Sequence, residues 1–392
     1  MAPKEFIATR ESEGIALVGN KPYYPNLTIQ NTNDPDADSL ISVALQILYH
    51  ESSPPTDLAQ NLKFKRITGG LTNVLYCISG FYPAQDYDAI LIRVFGAEGM
   101  IDRDVETSTF ASLAEYGVAP LYYGRFGNGR IEGWLDNHSP LSLADLQRRT
   151  TSEAIALQMA KLHKGFRVPE TLAEWHDEEK PAMWSQMISW MDQAKAIQVG
   201  DYKTKEDGER GKKLLDLDQI EKELHWLKDS IIPKNSKVAF CHNDLLAGNI
   251  MQNQDTGEIK LIDFEYGGVN YVGFDIANHF NEYAGGTTEK DGKPDYSLFP
   301  DFDQQRAFVS CYVKTSRSLS TGDSNDVSEM SEEEEIENTL EEVKAYVLAN
   351  HLYWGLWAVN QTVSEGTEEF DYLAYGYHRF SRYFESKDKL EK

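Results

Sequence analysis

The stretch FCHNDLLAGNIMQ, residues 240–252, sets His242, Asp244 and Asn249 in one polar break between apolar runs. A second apolar run, IKLI, ends in Asp263-Phe264-Glu265. Two carboxylates and an amide thereby stand at two strand ends. Phosphoryl transfer from a nucleotide needs this set: one carboxylate orients and deprotonates the acceptor hydroxyl, and hard oxygen ligands hold the magnesium that bridges the phosphates. The spacing assigns Asp244 as the base and Asn249 with Asp263 as magnesium ligands. His242 reads as a buried brace for the loop, because Asp244 already holds the base position, and Cys241 as a packed thiol.

Secondary structure must deliver these groups. The runs KVAFC and EIKLIDF read as strands. Upstream, Phe64–Leu75, Tyr76–Ser79 and Ala89–Phe95 are short β-branched or aromatic runs punctuated by Gly and Pro, as antiparallel strands are. A helical pattern from about Val105 to Tyr116 stops at Gly117 as a helix C-cap does. APLYYGRFGNGRIEGWL then reads as a hairpin with Asn128-Gly129 at its turn. The first third is thus β-rich with one inserted helix. From Ser142 onward, the segments 152–166, 181–198, 213–231 and 339–363 have helical periodicity, and the remainder reads as mostly helical. Lys203–Lys213 reads as a charged, flexible connection, and the chain has no internal repeat. The acid-rich tract 321–342 reads as a surface loop feeding a helix: Ser331 and Glu334 have capping-box spacing, and Glu residues in a first turn suit the helix dipole.

The Asp244 spacing equals that of the kinase catalytic loop HRDxxxxN followed by a strand and DFG. A protein kinase is nevertheless excluded: the GxGxxG loop and the VAIK strand are missing, and Glu265 stands where DFG has Gly. In their place ITGGLTN offers Gly69 and Gly70, which let backbone amides approach phosphate, with Thr72 and Asn73 as further donors. The same residues also suit a plain hairpin turn. Arg93, in AILIRVFG, occupies the place of the phosphate-pairing lysine, with Glu106 on the next helix as its partner. An ordinary strand-to-helix salt bridge is the other reading of that pair.

Composition bounds the function. The chain has 392 residues, of which 41% are apolar and 26% charged, ordinary for a folded protein with a large core. Its 38 basic and 63 acidic residues give a formal charge of −25, which disfavours nucleic acid and anionic membranes and favours cationic or metal-complexed ligands. Cys77, Cys241 and Cys311 are far apart and form no CxxC pair, so neither a disulfide framework nor a zinc site is indicated. The N-terminus, MAPKEFIATRESEGIALVGN, lacks the hydrophobic region of a signal peptide or membrane anchor. A cytoplasmic protein without nucleic-acid partners or stable membrane insertion is expected.

The segment LIDFEYGGVNYVGFDIANHFNEYAGG, with FCHNDLLAGNI, closely resembles the choline/ethanolamine kinase family, whose signature runs hLIDFEYxxxNYxxFDxxNHFxE after the HNDxxxxN loop. Every fixed position from Asp263 to Glu282 is present. The resemblance extends through ITGGLTN, LIRVFG and DRDVETSTF to LANHLYWGLWAV and FDYLAYGYHRFSRYF, roughly residues 62–385. It implies a two-lobed, protein-kinase-like α+β fold with a β-rich N-terminal lobe carrying one key helix and a larger, mainly helical C-terminal lobe. The implied division is an N-terminal extension over 1–60, helical or irregular, a nucleotide-binding lobe over 61–135, and a catalytic and substrate-binding lobe over 136–392. It also implies ATP with Mg2+ as cofactors, adds Gly133 and Leu135 to the nucleotide-binding positions, and leaves a homodimer open.

The implied substrate is a small amino alcohol, ethanolamine or choline. A cation is held by carboxylates and by aromatic faces, each favourable ring contact contributing about 0.5–2 kcal/mol. Glu282, Tyr266, Trp354, Trp357 and Tyr375 match the family's cation-pocket positions, and Trp354 and Trp357, three apart on a helix, face one way. Asp275 is expected to brace the catalytic loop without touching substrate. NHFNEYAG followed by DYSLFP looks like ethanolamine kinases, whereas choline kinases more often have Cys in place of Asn281. GTTEKDGK is longer than ethanolamine kinases suggest, and LANHLYWGLWAV is similar to some choline kinases. The reading is therefore an ethanolamine kinase making phosphoethanolamine, the first step of the CDP-ethanolamine route to phosphatidylethanolamine, with choline or dual specificity as the alternative. An aminoglycoside-type phosphotransferase would lack NYxxFDxxNHFxE, and a non-catalytic kinase-like binding module would not consume magnesium-ATP.

Overall fold

In the strand Ala89–Phe95 (β6), Ile90, Ile92 and Val94 alternate on one fully buried face, and Arg93 is buried on the other. That alternation builds the first unit, because the apolar face needs a cover and the Arg93 face needs counter-charges. The computed structural model describes residues 8–9, 16–32, 34–67, 73–81, 87–96, 102–287, 290–319 and 330–390. They fall into two units, each discontinuous in sequence: Met1–Ser139 with Val168–Trp175 and Met251–Tyr266, and Pro140–Arg167 with His176–Ile250 and Gly267–Lys392.

The first unit is a sheet of eight strands. These are Ala8–Thr9 (β1), Ala16–Val18 (β2), Lys21–Tyr24 (β3), Lys63–Ile67 (β4), Asn73–Ser79 (β5), β6, Tyr122–Phe126 (β7) and Gly129–Gly133 (β8), in the order β1-β2-β3-β7-β8-β6-β5-β4. All pairings are antiparallel except β3 with β7. Helix Ala37–Leu48 (α1) supplies the apolar cover: its Leu40, Val43, Ala44 and Ile47 form one core with Ile90, Ile92, Val94, Phe126 and Ile131. Part of the N-terminal stretch expected to be helical or irregular is therefore strand, because β2 and β3 extend the sheet beyond β7. A short helix, Leu58–Asn61 (α2), precedes β4.

The helix Arg103–Glu115 (α3) begins at Asp102, whose carboxylate accepts from the Asp104 and Val105 N–H groups, and is followed by Gly117 at φ +81°. The C-terminal end is where the sequence pattern sets it, and the Asp102 cap starts the helix two residues before Val105. Asn128 is at the β7–β8 turn as read from the sequence, its side-chain amide bonding both the N–H and the C=O of Ile29. A smaller sheet comprises His138–Pro140 (β9), Ile250–Asn253 (β11) and Ile259–Leu261 (β12), ordered β12-β11-β9.

The second unit is mainly helical: Leu143–Leu146 (α4), Arg149–Gly165 (α5), Ala182–Ala196 (α6), Lys205–Leu214 (α7), Leu217–Trp226 (α8), Val272–Glu282 (α9), Phe302–Leu319 (α10), Glu332–Glu365 (α11) and Tyr372–Leu390 (α12). Among the described residues its one strand pair is Val238–Cys241 (β10) with Gly268–Tyr271 (β13), antiparallel. The architecture is α+β, as the resemblance implied.

Lys203–Lys213 is not a flexible connection. It contains α7, which is capped by Thr204 and anchored where the buried Asp207 carboxylate accepts from the Thr367 hydroxyl at 2.9 Å. Capping and tertiary contact outweigh its charged composition. Ser331 and Glu334 form the expected capping box, so α11 starts earlier than its apolar periodicity indicates. Residues 321–329 of the acid-rich tract lie outside the described residues. Among the described residues no helix is long and apolar enough to cross a membrane.

Candidate active site

The Asp244 loop leaves β10 in the second unit. Asn243 takes a left-handed conformation, φ +66°, and its side-chain oxygen accepts from Asn270 Nδ2 at 2.8 Å. The fully buried Asp275 carboxylate accepts the Asn243 N–H at 2.7 Å and the His242 N–H at 3.0 Å, and lies 2.9 Å from His163 Nε2. Burial pushes its carboxyl up, but the His163 hydrogen bond and the charges and N–H groups around it pull it below the ordinary range. Asp275 thus braces the loop. His242, also fully buried, accepts the Asp244 N–H on Nδ1 at 3.3 Å, which is the bracing role read for it. The Asn249 amide nitrogen donates to the Asp244 carbonyl at 2.8 Å and to Asp244 Oδ2 at 3.2 Å. The Asp244 carboxylate and the Asn249 amide are therefore held together, with the Asn249 side-chain oxygen a hard oxygen atom beside them.

Asp263 belongs to the first unit and is itself left-handed, at φ +63°. Arg93 bonds its Oδ1 through Nη1 at 3.2 Å, and through Nε bonds Glu132 Oε1 at 2.7 Å. The expected Arg93–Glu106 pairing is replaced: Glu106 pairs with Arg130 Nη1 at 2.7 Å and Arg103 Nη1 at 3.1 Å. The reason is the β6–β8 register, which sets Arg93 opposite Arg130 and brings Glu132 to both. Burial raises the Glu132 and Glu106 carboxyls, yet the surrounding arginines hold both below the usual range. Burial likewise opposes the Arg93 charge, but Asp263 and Glu132 hold it firmly protonated. Asn73 Nδ2 donates to Glu265 Oε2 at 3.3 Å. Gly133 ends β8, its N–H bonding the Leu121 carbonyl, and Leu135 follows half-buried. Gly69, Gly70 and Thr72 lie outside the described residues.

Most of the expected cation pocket is in the second unit. The Trp354 and Trp357 rings meet edge to face with centroids 5.4 Å apart, and Tyr375 lies 6.5 Å from Trp357. Trp354 Nε1 donates to Asn278 Oδ1 at 2.7 Å, so this ring is anchored by its polar edge. Glu282 is buried and faces Arg379 at 3.4 Å, and Arg379 also bonds the Tyr375 hydroxyl and Asn350. Burial pushes the Glu282 carboxyl up, and Arg379 only partly offsets this. Asp244 is close enough to Tyr353 and Tyr375 to oppose ionisation of both phenols, which burial already disfavours, so this carboxylate and the rings share one electrostatic environment. Tyr266 belongs to the first unit. Sequence reasoning missed Arg379, although YGYHRFSRYF contains it, and also missed Glu132 and Arg130, whose alternation in GRIEG puts them on one strand face.

Each unit offers one hard oxygen of the kind that magnesium takes. Asp263 supplies a partly exposed carboxylate with one oxygen bonded by Arg93, and Asn249 supplies an amide oxygen, both hard ligands. His163, Cys241 and Asp275 also lie close together, but the Asp275 oxygens are engaged by the loop and burial raises the Cys241 thiol well above its ordinary value, which leaves a poor ligand. A separate groove of about 530 Å³ between α5 and α10 is lined by Arg149, Glu153, Arg306 and Cys311 and holds none of these site residues.

Residues 64–384 match the family described as choline/ethanolamine kinase. The chain belongs to that family. The kinase is 33% identical to a probable ethanolamine kinase A of Dictyostelium discoideum, over 84% of this chain and 87% of that protein. It is 32% identical to a probable choline kinase 2 of Arabidopsis thaliana, over 89% of this chain and 92% of that protein. Among solved structures, choline kinase from Cryptosporidium parvum Iowa II superimposes with a TM-score of 0.72 at 25% identity, covering 91% of this kinase and 96% of that chain. The fold is therefore protein-kinase-like and the kinase is a phosphotransferase of small amino alcohols. Relatives named for ethanolamine and for choline match it equally well.

Proposed function

We propose that this kinase transfers phosphate from ATP to the hydroxyl of ethanolamine, giving phosphoethanolamine, the first step of the CDP-ethanolamine route to phosphatidylethanolamine. The observation that carries the choice of ethanolamine is the polar content of the pocket region. The Glu282 carboxylate is buried, and Arg379, 3.4 Å away, only partly offsets the effect of that burial, so an N–H donor on the substrate meets a charged acceptor there. A buried acceptor left unmade costs about 1–3 kcal/mol, and a primary ammonium brings three N–H donors where a quaternary one brings none.

Asp244 orients the substrate hydroxyl and takes its proton, held in place by Asn249 and the His242 brace. Asn249 and Asp263 would each supply a side-chain oxygen to magnesium. Arg93 neutralises phosphate charge, and the amides of Gly69 and Gly70 with Thr72 and Asn73 donate to phosphate oxygens. Magnesium bound with ATP supplies the charge neutralisation that phosphoryl transfer requires. Glu282, Tyr266, Trp354, Trp357 and Tyr375 receive the ammonium. The second reading, choline or dual specificity, is favoured by the Trp354, Trp357 and Tyr375 rings, which suit a cation without donors. Competition between ethanolamine and choline at equal concentration tests the choice. Phosphoethanolamine should predominate, and an excess of phosphocholine overturns the proposal.

A further inference from the structure

Seven charged side chains of the first unit are linked in series, not as separate pairs. Starting at Asp263, the series passes to Arg93 at 3.2 Å and then to Glu132 Oε1 at 2.7 Å. The same Glu132 oxygen accepts from Arg130 Nε at 2.7 Å, and Arg130 leads to Glu106 at 2.7 Å. Glu106 reaches Arg103 at 3.1 Å, and Arg103 reaches Glu265 at 3.6 Å. Glu265 is two residues beyond Asp263, so the main chain joins the two ends of the series.

Glu132 occupies the decisive position. Arg93 and Arg130 are direct cross-strand partners, an arrangement that is repulsive when both carry charge. One oxygen of Glu132 bonds Nε of both, and all three side chains are almost completely buried. A guanidinium is a rigid planar fork, so fixing Nε fixes the direction of its Nη atoms. The Arg93 Nη1 aimed at Asp263 is thereby set by Glu132.

We propose that Glu132 is a positioning residue for the nucleotide and its metal, acting through Arg93 on Asp263. This rests on the roles proposed above for Arg93 and Asp263. It differs from a purely structural role, because loss of the Glu132 charge should leave the folded protein with a misdirected Arg93.

The test is calorimetric binding of a non-hydrolysable ATP analogue, with and without magnesium, to wild-type enzyme, Glu132→Gln, Glu132→Asp and Arg93→Gln, with KM for ATP and for ethanolamine measured alongside. Outer partners of metal ligands commonly contribute 10- to 100-fold, so magnesium–nucleotide affinity of Glu132→Gln should fall by about that factor, with KM for ATP rising and KM for ethanolamine steady. If Glu132→Gln does not fold, Glu132→Asp decides: it keeps the charge, shortens the reach, and should lose affinity severalfold while remaining folded. Wild-type affinity in the folded fraction of either Glu132 variant overturns the proposal, as does an equal rise in both KM values. Unchanged binding by Arg93→Gln removes the underlying reading of Arg93 itself. Weakened binding by Arg93→Gln alone leaves that reading standing and rejects the positioning role of Glu132.

Discussion

Asn243 and Asp263 are both held in left-handed backbone conformations, which cost about 1–3 kcal/mol for a residue other than glycine and persist only where surrounding bonds enforce them. Asn243 precedes the proposed base, and Asp263 is the proposed magnesium ligand. Asp244→Ala should lower turnover by several powers of ten while leaving ATP affinity within a factor of about two, because the proton acceptor is removed while the shorter Asn249 bond, to the Asp244 main-chain carbonyl, survives the loss of the one to its carboxylate. Stopped turnover with lost ATP binding would instead mark Asp244 as structural. Glu282 and Trp357 allow a paired comparison. Trp357 is the better of the two indoles to replace, since Trp354 also anchors Asn278. Trp357→Leu should raise KM for choline more than for ethanolamine, by an amount reflecting about 0.5–2 kcal/mol of ring attraction. Glu282→Gln should do the reverse, because a charge-assisted hydrogen bond is stronger than a neutral one. Steady-state kinetics on both substrates settle it, and a heavier choline penalty in Glu282→Gln refutes the ammonium-acceptor role. The Asp244–Asn249 contact was legible because a fixed offset of five residues encodes it. Arg379 and Glu132 were not, since their partners lie 97 and 39 residues away and depend on helix packing and strand register.

Helices α11 and α12 carry Trp354, Trp357, Tyr375 and Arg379, and their separation is set by small residues. A Cβ on Gly355 would lie 2.3 Å from the Phe380 ring, and one on Gly376 would lie 3.2 Å from the Gly355 carbonyl oxygen. Gly355→Ala therefore forces the two helices apart at the turn between the tryptophans. Overpacking of this kind costs about 1–3 kcal/mol. It also moves Tyr375 and Arg379 away from Trp357 and Glu282. The expected outcome is a lower thermal midpoint with KM for the amino alcohol raised several-fold and KM for ATP nearly unchanged. Equal effects on both constants would show that helix separation does not set the pocket. Periodicity over 339–363 marked α11 but not α12, and it could not show that Gly355 is a contact point, since a glycine inside a helical pattern equally fits a weak spot. For α7 the reverse holds: charge suggested a flexible connection, whereas the Thr204 cap and the Asp207–Thr367 bond are a local and a long-range feature that composition does not display.

Across the whole molecule, the formal charge of −25 was legible from composition and suits a cationic substrate, but the pH response depends on burial that composition does not report. His176 and His279 are each pushed down to about 4 by burial, and His351 is held well below its ordinary value by burial and by Arg379 and Arg382. Each stays neutral in the folded protein while its unfolded counterpart takes up a proton below about 6.5. In that window the unfolded state binds more protons, so stability falls as pH is lowered. The depressed carboxyls of Glu106, Glu132 and Asp275 do not contribute there: their stabilisation is complete above the unfolded carboxylate pKa of about 4 and is lost only as pH falls through their lower folded values. Glu282, raised by burial, acts in the opposite direction. His279 is the informative probe, because its Nδ1 lies 3.0 Å from the Leu245 carbonyl, next to the proposed base. One pH unit below 6.5, each neutral histidine accounts for about 1.4 kcal/mol of lost stability. Urea unfolding at pH 7.5 and pH 5.5 should therefore show wild-type enzyme losing stability on acidification, and His279→Gln, which cannot titrate, losing about 1.4 kcal/mol less over the same interval. An identical loss in the variant would mean that His279 is not held neutral by the fold, and a gain in wild-type stability on acidification would mean that the raised carboxyl outweighs the histidines.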